Sequence, residues 1–515
     1  MAPVVTPLHE RESYLAARVL NALLREDYGG LAARLTRDRS GVTLPLPSGR
    51  RVRLTPGGLA GLFQDFVVAP GEELTLAEVL DTLGAVADPL DAEGVAAFAQ
   101  ECRETLVALD LLDRHAPDPG ASPLRYEVLA ARVDHPVYPT ARCRLGLSPE
   151  QLVAYAPEFA PHFELRWAAV PRDAVTVTGS GVFWPTFAQA GLPSLDRSHV
   201  LFPVHPLAVP SLPGGIVGRE EYLRVRPTLS MRTVAVDART HLKLPLATST
   251  LGARNRRSIK PATLRDGALA ERLLREVLDR EPGLRVLLAD EQTYGHAGHE
   301  YLAWMIRRLP EGEIVSVAAL AAPGVLAELA ARHYGGDQAA LLRDYLTILF
   351  TWNVTLFVRY GIALEAHQQN LALVFGEGGL RLLVKDNDGL LVAPDRSDLD
   401  IPAFADQRLY TDDPHALADL FVTITLHLAA AAIAVPALGD ARWVRQTLAA
   451  ALDAFGDHPM ARLLRARTLD AARLVGKSMV TAGTLVDKSR TGAADVNKYY
   501  GTSGPNYLTV SQRSA

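Results

Sequence analysis

The sequence predicts an α+β protein with an antiparallel sheet at its centre. Three observations predict it. Helical periodicity dominates residues 1–123, short β-like runs alternate with helices over 124–323, and one Gly-turned hairpin interrupts the helices of 324–515. A chain of 515 residues is too long for one core, so these three segments are also the expected domains.

In the first segment, Tyr14 to Tyr28 places Leu15, Val19, Leu20, Leu23 and Leu24 on one helical face, and Gly29-Gly30 stops it. Val42, Leu44 and Leu46 alternate, Pro47-Ser48-Gly49 turns, and Val52 and Leu54 alternate again, which predicts a small hairpin. Thr75 with Glu78 reads as a capping box opening a helix, and Glu93 to Leu112 as an amphipathic helix. His115 to Pro123, with three prolines and a glycine, marks the first boundary. In the middle segment Val175–Thr178, His199–Val204, Leu223–Arg226 and Thr240–Leu246 read as strands, and Ala268–Leu278 as a helix. The last segment opens on a long apolar helix, Asp337 to Tyr360, ended by Gly361. After the hairpin, helices are expected from His415 to near Val486, one of them buried and ending near Pro436. The polar tail from Asp487 is expected to order only against the body.

Bulk composition excludes several classes of function. Net charge is −5, from 53 basic and 58 acidic residues, which gives no footprint for nucleic acid. Cys102 and Cys143 are too few for a disulfide framework or a Cys-rich zinc site, and a reducing cytoplasm fits them. Met1 to Glu12 is polar, so no signal peptide is expected. No run of eighteen uncharged apolar residues occurs, so no membrane span is expected.

The richest chemistry lies at the hairpin. Glu365-Ala366-His367-Gln368-Gln369-Asn370 precedes the apolar run Leu371–Phe375; Gly376-Glu377-Gly378-Gly379 turns; and Leu380–Val384 returns to Lys385-Asp386-Asn387-Asp388. The fold-back brings Asp386 near Asn370 and His367, a plausible set of ligands and neighbours for Mg²⁺ on a nucleotide. Gly476-Lys477-Ser478 resembles the end of a P-loop, but Ala471 replaces the first glycine and the preceding residues read as helix, so it is rejected. His296-Ala297-Gly298-His299-Glu300 lacks a third metal ligand and reads as a loop. Arg254-Asn255-Arg256-Arg257 with Lys260, beside Thr248, Ser249 and Thr250, makes a candidate anion site.

Five strings then line up: Asp134-His135-Pro136 to Arg142; Pro203-Val204-His205-Pro206; Thr228-Leu229-Ser230-Met231-Arg232-Thr233; His241-Leu242-Lys243 leading to Thr250 and Arg254; and Glu365 to Asn370 with Lys385-Asp386. In this order and at these spacings they resemble the IucA/IucC family of siderophore synthetases. The resemblance runs from about His135 to Asp388. Several positions depart from the family pattern. Tyr138 stands for a second His, Arg142 for a Lys, Leu207-Ala208 for Trp-Gln and Lys385 for an Arg, and the stretch from Lys243 to Thr250 is one residue short. His135 and His205, each followed by Pro, read as buried imidazoles that satisfy loop backbone.

The resemblance implies a three-part cupped hand: a helical thumb (1–123), antiparallel-sheet fingers (124–323) and a helix-rich palm carrying the hairpin (324–515). It implies a homodimer, ATP and Mg²⁺. It also implies a reaction in which a carboxylate, most often of citrate, is adenylated with loss of pyrophosphate and is then attacked by an amine or hydroxyl. By position, Ser230, Arg232, Thr233 and Lys243 match the family's phosphate contacts, and Thr250, Arg254 and His367 its carboxylate contacts. Glu365, Asn370 and Asp386 supply oxygens suited to Mg²⁺, and Gln369 can hydrogen-bond the nucleotide. Two other readings stay open. A small-molecule kinase would use the same His, Asn and returning Asp but release ADP. A non-catalytic carboxylate-binding protein would not need the nucleotide half.

Overall fold

A computed structural model describes residues 8–39, 41–59, 61–213, 216–492 and 499–509. It is α+β, with an antiparallel sheet at its centre. The first helix spans Leu8–Arg25, and Gly29 and Gly30 leave it at φ 59° and 70°. Strands Gly41–Pro45 and Arg51–Pro56 form the expected small hairpin inside a four-stranded sheet. Thr75 and Glu78 form both halves of the capping box that opens helix Leu76–Val86. Helix Ala92–His115 follows, and these elements close over their own apolar core.

The middle segment builds a nine-stranded sheet. Its order is 176–178, 290–299, 302–308, 240–243, 233–235, 222–227, 163–171, 199–204, with 216–217 also pairing 163–171. Every pair in it is antiparallel. His296 and His299 therefore lie on a strand, Asp290–His299, where a loop was expected. Helix Pro261–Arg280 packs against that strand.

The long helix Gln338–Tyr360 is apolar over most of its surface because it runs through the largest core, with Thr347, Thr351 and Arg359 on its exposed side. Gly361 ends it at φ 61°, where an added Cβ would press on the Ala393 carbonyl at 3.0 Å. The hairpin pairs Leu371–Gly376 with Gly379–Val384 in the register Leu371↔Val384. Glu313–Ser316 joins one edge antiparallel, and Val286–Leu288 the other edge parallel. Both added strands precede residue 323, so the second and third segments share this sheet.

Gln338–Tyr360 and Pro414–Leu438 are, by length and composition, apolar enough to cross a membrane, but most of each is buried inside the protein. The second continues past Pro436 and ends at Gly439. Helices then run to Arg467, where a strand not foreseen, Arg473–Gly476, pairs with Thr502–Pro505 of the tail. The tail thus orders against the body, with Tyr507 buried beside His427.

Candidate active site

A cavity of about 400 Å³ opens between the nine-stranded sheet and the hairpin. Ser230, Arg232, Lys243, Thr250, Glu365, His367, Gln369, Asn370 and Asp386 all line it. Residues separated by up to 156 positions in sequence (386 − 230) therefore meet at one place.

The hairpin does what its pattern predicts. The Lys385 N–H donates to the Asn370 carbonyl at 2.8 Å, which sets Asp386 beside Asn370. The Asn370 side-chain amide donates to the Glu365 carbonyl at 3.1 Å, and the Glu365 N–H to the Gly389 carbonyl at 2.7 Å. The 365–370 turn and the 386–389 turn are thus locked together. Lys385 points away and lies 3.6 Å from the buried Glu127, whose other oxygen accepts the Leu229 N–H at 2.9 Å. This pair ties the hairpin to the loop carrying Ser230.

Asp386 adopts φ 56° and faces cations. Lys243 Nζ is 2.7 Å from its Oδ1, and Arg307 binds the same oxygen. Burial alone would raise this carboxyl, but Arg307, Lys243 and Arg232 outweigh it and hold it well below the usual carboxylate range. Asp388 moves the other way: burial raises it, and Asp386 and Glu291 add to the rise while Lys243 opposes it.

Two expected contacts lie elsewhere. Thr233 is fully buried in the strand pair opposite Lys243, outside the cavity lining. Arg254 is also outside it. The chain folds back on itself here: Arg257 N–H donates to the Thr248 carbonyl at 2.9 Å, and Thr250 N–H to the Asn255 carbonyl at 3.3 Å. Arg254 sits at the tip, where its guanidinium donates to the Thr484 carbonyl at 2.7 Å. The fold-back carries Arg257 into the cavity instead, against the Thr250 hydroxyl. Because the 248–257 segment folds back as a hairpin, Arg257 faces the cavity and Arg254 the Thr484 carbonyl. Burial, with Arg232 and Arg144 nearby, pushes the Arg257 guanidinium down to about 9. Such crowding of like charge suits the site to an anion.

Lys477 was passed over with its P-loop-like neighbours. It follows the strand Arg473–Gly476, not a helix, and lines the cavity with the Tyr500 ring 5.9 Å away. The P-loop reading still fails, because Ala471 stands where its first glycine belongs.

His135 and His205 act on loop backbone as expected: each Nδ1 accepts N–H groups two or three residues on, at 3.0–3.2 Å. Burial drives His135, His205 and His241 down to about 3, and His367 and His427 to about 4. The unfolded chain would bind protons at these sites near pH 6.5, whereas the folded chain resists them. Their contribution is therefore complete above pH 6.5 and is lost as pH falls toward 4. Thermal melts should show a falling midpoint over that window; a midpoint flat from pH 7 to pH 5 would contradict these burials.

Among the described residues no group of three or more His, Cys, Asp or Glu is arranged to hold a metal alone. Magnesium does not need one, since it is bound through one or two carboxylates plus phosphate oxygens.

Known proteins resemble this chain in part of its sequence and in its fold. The IucA / IucC family matches residues 124–212 and 214–322, and the description "Ferric iron reductase FhuF-like transporter" matches 339–487. Staphyloferrin A synthase of Staphylococcus aureus is 26% identical over 310 residues, 50% of this chain and 51% of that protein. The chain spans about half the length of the curated relatives it matches. The crystal structure of petrobactin biosynthesis protein AsbB from Bacillus anthracis superposes with a TM-score of 0.78 at 17% identity, covering 97% of this chain and 96% of that one. ATP-bound aerobactin synthetase IucA from Klebsiella pneumoniae superposes with a TM-score of 0.66 at 18% identity, covering 96% and 99%. Both likenesses extend over the whole fold, from the N-terminal helices to the tail strand. Residues 124–212 and 214–322 are thus similar to the IucA / IucC family, and the whole chain shares the fold of these solved structures.

Proposed function

We propose that the protein is an ATP-dependent, AMP-forming ligase of siderophore biosynthesis. It adenylates a carboxylate, citrate or a citrate derivative, and passes the acyl group to an amine or hydroxyl. One observation carries this reading: Arg232, Lys243, Arg257 and Lys477 converge with His367 on a single cavity that also presents Glu365, Asn370 and Asp386. A triphosphate beside a tricarboxylate needs that many cations, and a simple carboxylate binder does not.

In this reading Ser230, Arg232 and Lys243 face the phosphates, and Gln369 the nucleotide. Arg257 takes the carboxylate in the place first assigned to Arg254, with Thr250 orienting its guanidinium. A guanidinium can grip a carboxylate through two parallel hydrogen bonds and so aim one oxygen at the α-phosphorus. That oxygen attacks, pyrophosphate leaves, and the nucleophile then adds to the acyl carbon as AMP departs. Magnesium, held by Glu365, Asn370 and Asp386, would neutralise phosphate charge. The donor set suits it, because Asp386 is already ionised and the other two supply hard oxygens. The expected assembly is the family's homodimer. Its expected partners are small molecules: a carboxylate with an amine or alcohol.

The deciding assay incubates the protein with ATP, a panel of carboxylates and a panel of amines and alcohols. Pyrophosphate and AMP are expected, with carboxylate dependence. Release of ADP instead would favour the kinase reading, and binding without any nucleotide turnover the non-catalytic one.

The metal assignment has its own test. Asp386→Asn is expected to raise the Mg²⁺ concentration for half-maximal turnover by about tenfold or more, and excess Mg²⁺ should restore part of the activity. Asp388→Asn, two residues on, is the internal comparison. If Asp388→Asn shows the larger Mg²⁺ requirement, the returning strand has been read two residues out of register.

A further inference from the structure

We propose that Glu101, on helix Ala92–His115 and outside the cavity lining, is a positioning residue for carboxylate binding: through the Thr484 hydroxyl it holds the 250–257 fold-back in the register that carries Arg257 into the site. The inference rests on the ligase reading, which gives Arg257 the carboxylate, and goes beyond it by naming what aims that guanidinium.

Glu101 has 1% of its surface exposed, and among the described residues its hydrogen-bond partners are hydroxyls, not cations. Tyr138 and Thr140 each donate to one carboxylate oxygen at 2.9 Å, and Thr484 donates to the other. All three donors are themselves buried. Burial raises the Glu101 carboxyl, and the three hydroxyls oppose that rise. An ionised carboxylate is acceptor-only, so it can take all three protons at once. A carboxylate buried without a cation is a costly brace for the fold alone. What it fixes here is the direction of three O–H bonds.

Thr484 passes that constraint on. Its proton goes to Glu101, so its oxygen is turned to accept the Ala253 N–H at 2.9 Å. The Arg254 N–H donates to the Gly483 carbonyl at 3.1 Å, and the Arg254 guanidinium to the Thr484 carbonyl at 2.7 Å. The tip of the fold-back is thus hooked to residues 483–484 at three points. Three positions after Arg254, the Arg257 guanidinium reaches Thr250 and the cavity. The helix itself is pressed on the same segment. A Cβ at Gly94, two turns before Glu101 on one face, would come within 1.9 Å of the Leu485 carbonyl. None of these hydrogen bonds involves Ser230, Arg232 or Lys243, which face the phosphates in this reading.

The 480–485 segment is also held independently of Thr484. Glu26 accepts the Val480 N–H at 3.1 Å and the Thr481 N–H at 2.8 Å. Loss of the Thr484 hydroxyl should leave this segment in place and free the tip of the fold-back.

The experiment compares two like changes at one carboxylate in the full chain. Thr484→Val and Thr140→Val each remove one hydroxyl donor to Glu101 while keeping the side-chain shape, and Thr484→Ser restores the first. Both valine variants should lower the melting midpoint, since each leaves the carboxylate a donor short. Citrate is titrated in the presence of a non-hydrolysable ATP analogue, and the analogue alone. Thr484→Val should bind citrate about tenfold more weakly with unchanged analogue affinity, and Thr140→Val and Thr484→Ser should stay near wild type. In an Arg257→Ala background, Thr484→Val should cost no further citrate affinity, because its effect passes through that guanidinium. Glu101→Gln, which turns one accepting oxygen into a donor, should match Thr484→Val; where it does not fold, the paired threonine variants decide. Wild-type citrate affinity in Thr484→Val or in folded Glu101→Gln would overturn the proposal. So would an equal citrate loss in Thr140→Val, a parallel loss of analogue affinity, or a full further loss in the Arg257→Ala background. Failure of the ligase reading looks different: the wild-type protein itself releases no carboxylate-dependent pyrophosphate.

Discussion

Replacing Arg257 with alanine is expected to lower carboxylate-dependent pyrophosphate release by about 10² to 10³, equivalent to roughly 2.7–4 kcal/mol of transition-state stabilisation. The magnitude follows from burial. Arg257 reaches the cavity as a desolvated cation beside Arg232 and Arg144, and it has no carboxylate partner among the described residues. Its charge is available for substrate, and in a water-poor site it counts for far more than it would at the surface. Arg254→Ala is the control. Arg254 contacts the Thr484 carbonyl, and the loop it anchors is also held by the Thr484 hydroxyl, which accepts the Ala253 N–H at 2.9 Å and donates to the buried Glu101. Its loss should loosen the loop and cost a smaller factor, with the carboxylate KM rising more than kcat falls. Near-normal turnover in Arg257→Ala with a dead Arg254→Ala would restore the assignment that the family resemblance implies.

The contrast between these two arginines shows what was legible in the sequence. Local patterns were: the capping box at Thr75, the helix ended by Gly361 and the register of Leu371–Val384 each depend on residues close in sequence, and each is present. The hairpin alone was enough to place Asp386 beside Asn370. Arg257 was visible as part of a basic cluster, but seeing that it, and not Arg254, faces the cavity required knowing that the chain reverses at Gly252, whose φ is 118° and whose Cα lies against Gly483. That contact joins positions far apart in sequence, and nothing near position 252 encodes it. The strand Arg473–Gly476 was missed for a similar reason. Its pairing partner lies in the tail, so no hairpin signal marked it.

Glu291 and Arg307 left no signal at all, yet removing Glu291 should have the largest effect on stability. Both are buried, on neighbouring antiparallel strands, and Arg307 Nε donates to Glu291 at 2.6 Å. Glu291 also accepts the backbone N–H groups of Asp386 at 3.0 Å and Asn387 at 3.2 Å. Asp386 has positive φ, so these successive N–H groups form a small concave anion site that the Glu291 carboxylate fills. Arg307 closes the ring by binding Asp386 itself. A single carboxylate thus neutralises a buried guanidinium and holds the turn that carries the proposed metal ligand. Glu291→Ala leaves the buried Arg307 guanidinium with Asp386 as its one remaining carboxylate and strands two N–H groups, and should cost about 3 kcal/mol of unfolding free energy in urea titrations. Glu291→Met combined with Arg307→Met removes the under-compensated charge and should recover much of that loss. It should not recover turnover, because the Asp386 turn remains without its acceptor and Asp386 without one of its two cations. A double variant that regains both stability and a wild-type Mg²⁺ requirement would show that the pair stabilises the fold without positioning the site.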